Sequence, residues 1–459
     1  MRSRLALLVL LLGMAAGAPA QVVRIIWIGQ SGFLIQSEGG PTVFADPPAA
    51  NLGYPLPQTP ADVVTVTHNH GDHNNTAGVR GNFTLVDGRP ITARTEMTAA
   101  NLPFVLIPGF HDNQNGSARG PNALMRWTQS GLRFAHFGDI GQDELTPAQL
   151  ADLQDLDVLF LPAGGGPTID TQRAAAYVNQ LRPRVAVLMH YRTALGGPAT
   201  LAALPAAATP FGAVVYKPPS VVLSRDRLPA AREVWVMLPA ADSAVVNAGG
   251  FEEGVPVAPG SLASLFGTFT GSGTFAASQV PLARRLGETE VLLQGNPAPL
   301  LFVSPDQINL QVPTALAAGQ YLVEARVAGR VLSRAALTVV PRAPGLFVVV
   351  NQDGRLNSAS NPARRNEVVQ IYATGQGEVS VPVEDGAPPP SGLLAVTPVR
   401  PDVTVGGRPA TVRFSGLAPG FVGLWQLNAT LPSDAPTGVA VPLVITHGLA
   451  TRPFSVAIQ

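Results

Sequence analysis

Between Val22 and about Pro239, short apolar runs alternate with segments of helical period. VVRIIWIG (22–29), FLIQS (33–37) and TVFADP (42–47) read as strands separated by turns, and VVTVT (63–67) is a fourth, β-branched run. LRFAHFGD (132–139) reads as a strand that ends in an acid. Thr146-Pro147 then offers an N-cap with proline at the first helical position, ahead of QLADLQDL. DVLFLP (157–162) is a buried-strand run, Asp170-Thr171 opens a second helix to about Leu181, and VAVLM (185–189) is a strand delivering His190. Strands alternating with helices predict an α/β domain whose reactive residues sit on loops at strand C-termini.

After about Ala241 the helical period fades and short alternating strands appear between Gly/Pro turns. The segment repeats itself. VLLQGNPAPLLFVSPDQINLQVP (291–313) matches VTVGGRPATVRFSGLAPGFVGLWQLNATLP (403–432), with Gly295, Pro297, Ala298, Gln307 and Asn309 answering Gly407, Pro409, Ala410, Gln426 and Asn428. Upstream, APGSLASLFG (258–267) parallels RRNEVVQIYATG (364–375). Two tandem β units with this strand spacing predict immunoglobulin-like sandwiches over 242–342 and 343–459.

Composition narrows the chemistry. Charged residues make up 13% of the 459 and the net charge is zero, so nothing electrostatic argues for nucleic acid or an anionic membrane as partner. With no cysteine, disulfides, thiolate metal sites and cysteine nucleophiles are excluded. The N-terminus carries Arg2 and Arg4, a short apolar stretch from Leu5, and Ala18-Pro19-Ala20 before Gln21. That order predicts a secretory signal over residues 1–20, cleaved near Ala20-Gln21, and a secreted or periplasmic product. The apolar stretch is shorter than the ~20 residues that spanning requires.

The chain has seven histidines, and three stand in VTHNHGDHNN at 68, 70 and 73 with Asp72 between them. His68 and His70, two apart in extended chain, can point the same way. Gly71 is expected to permit a turn that brings Asp72 and His73 toward a second position. His111, Asp139 and His190 fall where strands should end, whereas satisfied core histidines would be scattered. Other candidates read more plainly. Ser31 in Gly29-Gln30-Ser31-Gly32 lies between strands, not on a strand-to-helix elbow. Gly164 to Gly166 read as a turn beside the site, without the lysine of a phosphate loop. His136 reads as a packed core histidine and His447 as incidental, while Asp112 and Arg119 are open between a substrate contact and loop closure.

On these motifs residues 22–240 resemble the metallo-β-lactamase fold superfamily, an αββα sandwich with a dinuclear site at one edge. Asp46 in VFADP, His68-x-His70-x-Asp72-His73, His111, Asp139 and His190 match its metal motifs in order. WIGQSGFLI, HDNQNGSARGPN, DVLFLPAGGGPTID and LRPRVAVLMHY resemble the ascorbate-phosphate lactonase-like branch, in which many relatives have histidine where this chain has Gln30. The resemblance implies that His68, His70 and His111 hold one metal, that Asp72, His73 and His190 hold a second, and that Asp139 bridges them. Asp46 would lie behind the ligands and orient them, and Asp72 would serve as both ligand and catalytic residue. Two Zn²⁺ ions are the expected cofactors, with Mn²⁺ or Fe as alternatives.

The expected function is hydrolysis of an ester-type bond (lactone, phosphodiester or thioester) in a small molecule by a metal-bridging hydroxide. The resemblance implies that true β-lactamases of this fold lack a bridging acid at the position of Asp139, which speaks against β-lactams as the main substrate. Residues 242–459 resemble the Solibacter-type C-terminal domain, on VAPGSLASLFG, APLLFVSPDQINLQVP and NPARRNEVVQIYATGQG. This part is expected to contact a cell-surface or matrix component. The alternative function is an adhesion protein with a non-catalytic metal-binding domain.

Overall fold

The structure, a computed structural model, describes residues 21–204, 206–241 and 243–459. The expected signal segment, 1–20, lies outside the described residues. The N-terminal half contains strands β1 (Val22–Gly29), β2 (Gly32–Ser37), β3 (Thr42–Ala45), β4 (Val63–Val66), β5 (Thr84–Asp87), β6 (Thr95–Ala99) and β7 (Leu102–Ile107). They are followed by β8 (Leu124–Gln129), β9 (Leu132–His136), β10 (Val158–Pro162), β11 (Val185–Met189), β12 (Val215–Lys217), β13 (Ser220–Ser224) and β14 (Glu233–Met237). One sheet runs β13-β1-β2-β3-β4-β5 and the other β12-β14-β11-β10-β9-β8-β7-β6. Aromatic side chains fill the space between them. Phe33 of the first sheet meets Phe160 of the second at 4.2 Å, and Trp127, Phe134 and Phe160 stack behind. Each such side chain contributes about 2–3 kcal/mol by leaving water.

Helices α1 (Pro147–Asp152) and α2 (Thr171–Leu181) link β9, β10 and β11, which are mutually parallel. Both connections step the same way along the sheet, so right-handed crossovers put both helices on one face. Thr146 starts α1 with a capping box, its Oγ1 accepting from Gln149 N while Gln149 Oε1 accepts from Thr146 N. The sequence suggested a helix through Leu156. The helix stops at Asp152 instead, because Asp155 turns back at φ 53° to bring the chain into β10. The outer face of the first sheet carries a separate apolar cluster of Ile28, Leu34, Phe44, Val64 and Val66, covered by Leu56, Val79, Phe83 and Ala240. Among the described residues no α-helix covers that face, so the helical layering expected of an αββα sandwich is reduced there to loops and single 3-10 turns.

The C-terminal half is largely β, with one apolar core within 245–339 and another within 346–458. The repeat seen in the sequence recurs in the pairing. Leu262–Phe266 pairs with Gln307–Gln311, which pairs with Leu300–Val303; likewise Val368–Thr374 pairs with Trp425–Thr430, which pairs with Arg408–Leu417. Gln307 donates to Asn309 and Gln426 to Asn428 in matching positions. His447 is buried beside Trp425 with its Nε2 3.1 Å from Gln376 O. The two halves touch next to the strand that delivers His190, where Ala194 N donates to Gln320 Oε1 at 3.1 Å. No helix among the described residues is long and apolar enough to cross a membrane.

Candidate metal centre

Four strands end at one edge of the N-terminal half, and each end supplies a polar group. β3 leads into Asp46, β4 leads through Thr67 into His68, β9 leads to Asp139 and β11 leads into His190, while His111 follows β7. Asp46 and His190 sit at φ 41° and 52°, a left-handed conformation that non-glycine residues rarely hold and that concentrates at functional sites. The His68–His73 segment curls on itself through His73 N to His70 O at 3.0 Å. Gly71 differs from expectation: a Cβ there would meet nothing, and its φ is not left-handed. The turn is closed by backbone bonding and does not depend on glycine's freedom.

Two clusters result, and they share one residue. His68, His70, His111 and Asp139 bring ligand atoms within 4.8 Å of one another, and so do Asp72, His73, Asp139 and His190. Asp139 divides its oxygens between them. Oδ2 lies 3.1 Å from His111 Nε2 and 3.7 Å from His68 Nε2; Oδ1 lies 3.1 Å from His73 Nε2 and 3.2 Å from His190 Nε2. Donors held ~2.1 Å from a tetrahedral ion stand about 3.4 Å apart, so these spacings suit an ion inside each cluster. The bonding agrees. The Nε2 atoms of His68, His73, His111 and His190 and the Oδ1 of Asp139 are buried without a hydrogen-bond partner. Buried polar atoms are otherwise almost always paired. His70 and Asp72 are partly exposed and form the open side of the site; Asp72 is 25% exposed.

Asp46 also approaches His68 and His73, but its oxygens are already engaged. Oδ1 accepts from Thr67 N at 2.9 Å, and Oδ2 accepts from Thr67 Oγ1 at 2.5 Å and faces His73 Nδ1 at 2.9 Å. With the Thr67 hydroxyl proton given to Asp46, Thr67 Oγ1 is left to accept from His68 Nδ1, 3.0 Å away. One carboxylate thereby sets the tautomer of two histidines and turns both Nε2 lone pairs into the clusters. His136 is a packed ring at the rear. Its Nε2 donates to Ser31 O and its Nδ1 accepts from Gly138 N, which keeps it neutral. Asp112 closes its own loop by accepting from the backbone N–H groups of Gln114, Gly116, Ala118 and Arg119. Gly164 packs against the His190 carbonyl, where a Cβ would stand 2.1 Å away, in keeping with a turn beside the site.

The electrostatics follow the geometry. Burial pushes the His68 imidazolium down to about 3, helped by the neighbouring His73. For His73 and His190 burial works in the same direction, but Asp139 and the other carboxylates outweigh it and raise both. Burial alone would raise Asp139, yet His190 and His73 hold it well below the usual carboxylate range. Asp46 and Asp72 are lowered likewise by their histidines against the effect of burial. The site is an ionised carboxylate cage around imidazole nitrogens, a donor set made for a divalent cation.

Two residues of this architecture carry no motif of their own. Asn122 accepts from Asp139 N through Oδ1 and donates to Phe137 O, fixing the loop that presents the shared acid. Gln30 donates to Asp72 Oδ2 at 2.9 Å. Thr67 had a usable signal, standing directly before His68.

Comparison with known proteins gives the same assignment. Residues 24–190 match the family model for the beta-lactamase superfamily domain. A UPF0173 metal-dependent hydrolase of Nitratidesulfovibrio vulgaris strain Hildenborough is 31% identical over 198 residues, 37% of this chain and 80% of the relative. One from Hyperthermus butylicus is 27% identical over 195 residues, 36% of this chain and 82% of the relative. A crystal structure of a metallo-β-lactamase superfamily protein from Thermotoga maritima aligns at 28% identity with a TM-score of 0.38, over 47% of this chain and 98% of that one. The chain therefore belongs, through its N-terminal half, to the UPF0173 metal-dependent hydrolases of the metallo-β-lactamase superfamily.

Proposed function

We propose that the protein is an exported, dinuclear, zinc-dependent hydrolase of an ester-type bond in a small molecule: a lactone, as in the ascorbate-phosphate lactonase-like branch, a phosphodiester or a thioester. The single observation that carries this reading is the division of Asp139, with Oδ2 toward His68 and His111 and Oδ1 toward His73 and His190. On this reading His68, His70 and His111 hold one ion, Asp72, His73 and His190 the other, and Asp139 joins them. The imidazole-rich donor set favours Zn²⁺, and the carboxylates leave Mn²⁺ and Fe as alternatives.

Bound ions would supply a water activated near neutral pH and a Lewis acid for the carbonyl or phosphoryl oxygen. The chain's own residues do the rest. Asp46 holds the His73 ring by its Nδ1 and, through Thr67, the His68 ring. Asp72, ionised and on the open side, is placed to accept a hydrogen bond from the attacking water and orient it. Residues 21–240 form the catalytic domain in this account. Residues 242–342 and 343–459 are two immunoglobulin-like domains, of the Solibacter-type C-terminal kind, that hold the enzyme to a cell-surface or matrix component.

A panel of lactones, phosphodiesters and thioesters tests the chemistry. Asp72→Ala and His70→Ala are expected to lower metal content and hydrolysis together, and full activity in either variant contradicts the assignment. Export is read from the N-terminus of protein recovered outside the cytoplasm. It should begin at Gln21, and a mature chain that still starts at Met1 refutes the signal reading.

A further inference from the structure

The loop that follows His190 is held from two sides. On the catalytic side it meets the loop after β3. Gly197 N donates to Leu52 O at 3.3 Å, and a Cβ on Gly196 would stand 1.8 Å from the same oxygen. The Tyr54 hydroxyl donates to Gly196 O at 2.7 Å and lies 2.9 Å from Thr193 Oγ1. The Tyr54 ring in turn packs on Gly29, where a Cβ would be 2.2 Å away. Gln30 comes next in the chain, and its carbonyl accepts from His190 N at 3.1 Å. The loop, Tyr54 and the His190 backbone thus close a ring of contacts.

On the other side stands the β-rich half. The hairpin of Gly319–Val327 and Arg330–Val339 borders the loop, and Gln320 Oε1 accepts from Ala194 N at 3.1 Å. Beside that bond the halves leave a cavity of about 330 Å³, with Gly53, Tyr54 and Leu195 on one wall and Leu322 and Arg334 on the other. The loop is therefore loosely packed here, and a single directed hydrogen bond counts for more than it would in a filled interface. The β-rich half is itself anchored elsewhere: Gly254, at φ 83°, comes so close to the catalytic half that a Cβ would stand 2.2 Å from Pro218 N.

We propose that Gln320 is a positioning residue of the metal centre, supplied by the β-rich half, which holds the His190 loop against Tyr54 and so steadies His190 as a ligand. The β-rich half is then a working part of the site as well as an attachment. The inference rests on the metal-centre reading and is independent of which ester is cleaved.

Gln320→Leu removes the acceptor at similar size. Gln320→Glu keeps it, and the Thr338 hydroxyl, buried without a partner directly across the ladder, is placed to bond the second oxygen. Zinc-loaded full-length proteins are mixed with excess 4-(2-pyridylazo)resorcinol and the release of zinc is timed. At least one ion should leave roughly five- to tenfold faster from Gln320→Leu than from wild type, with Gln320→Glu near the wild-type rate. Tyr54→Phe, which frees the same loop from the catalytic side, should quicken release as well. Equal release from wild type and Gln320→Leu overturns the proposal. So does release as fast from Gln320→Glu as from Gln320→Leu, since a general loosening and not the acceptor would then be at work. Hydrogen exchange of zinc-loaded wild type needs no variant: the Ala194 amide should exchange at least roughly tenfold more slowly than an exposed amide, and exchange at the exposed rate overturns the contact. Wild type that takes up no zinc contradicts the metal-centre reading and the proposal together, whereas two bound ions with unchanged release contradict the proposal alone.

Discussion

Asp46 does the most for the site while touching it least. Fully buried, it accepts from Thr67 N and Thr67 Oγ1 and holds His73 Nδ1. Asp46→Ala strands three buried polar groups and should destabilise the metal-free protein by about 3 kcal/mol in denaturant unfolding. It should also weaken metal binding by roughly 10–100-fold. Protonation gives a second expectation. His73 and His190, pushed down by burial but raised on balance by Asp139 and the other carboxylates, hold a proton more tightly than a free imidazole in the metal-free protein, and their stabilising contribution is lost as pH rises through their folded pKa. His68, lowered to about 3, contributes in the opposite sense: its share is present above ~6.5 and is lost as pH falls toward 3. Metal entry must displace any proton held on these rings. Zinc added near pH 6 should therefore release protons, measurable by calorimetry in two buffers of different ionisation enthalpy, and identical heats in both buffers would contradict it. The histidines and Asp72 were legible in the sequence because four of the ligand-bearing positions crowd into one short loop. Asn122 was not, because its role rests on contact with Asp139, 17 residues away, and Gln30 stood out only as a departure from the histidine of many relatives, its bond to Asp72, 42 residues away, being hidden.

Strand ends deliver the ligands, and their turns are built tightly. Gly138 precedes Asp139 at φ 50°, and a Cβ there would stand 2.4 Å from both Asn122 Oδ1 and Thr67 Oγ1. Gly138→Ala should therefore displace Asp139 and cost about 2 kcal/mol or more of stability, with weaker metal binding; wild-type unfolding and affinity would show that the turn relaxes freely. The elements read from periodicity and caps, such as β4, β10, β11 and α2, appear where the pattern put them, since each is a dense apolar run or begins at a strong N-cap. The edge strands β5 and β6 gave little signal: their outward residues are exposed, and only Val86 and Ala99 are buried. The early end of α1 was likewise hidden, because the return into β10 is set by the sheet and not by helix propensity.

The whole molecule joins a catalytic N-terminal half to a β-rich half nearly as large, and they meet beside the strand that delivers His190, through Ala194 and Gln320. The repeat in the second half was legible because matched turns and the Gln-x-Asn pairs recur at the same positions. How the halves pack was not, since no periodic pattern encodes a contact between a loop at 194 and a strand at 320. Everything functional still depends on whether Asp139 joins two ions. The direct measurement is metal content of purified full-length protein by mass spectrometry, wild type beside Asp139→Ala, with hydrolysis assayed on the same samples. The account predicts close to two transition-metal ions per wild-type chain, and at most one, with activity largely lost, in the variant. Two ions retained in Asp139→Ala, or metal-free wild type with undiminished hydrolysis, would contradict it.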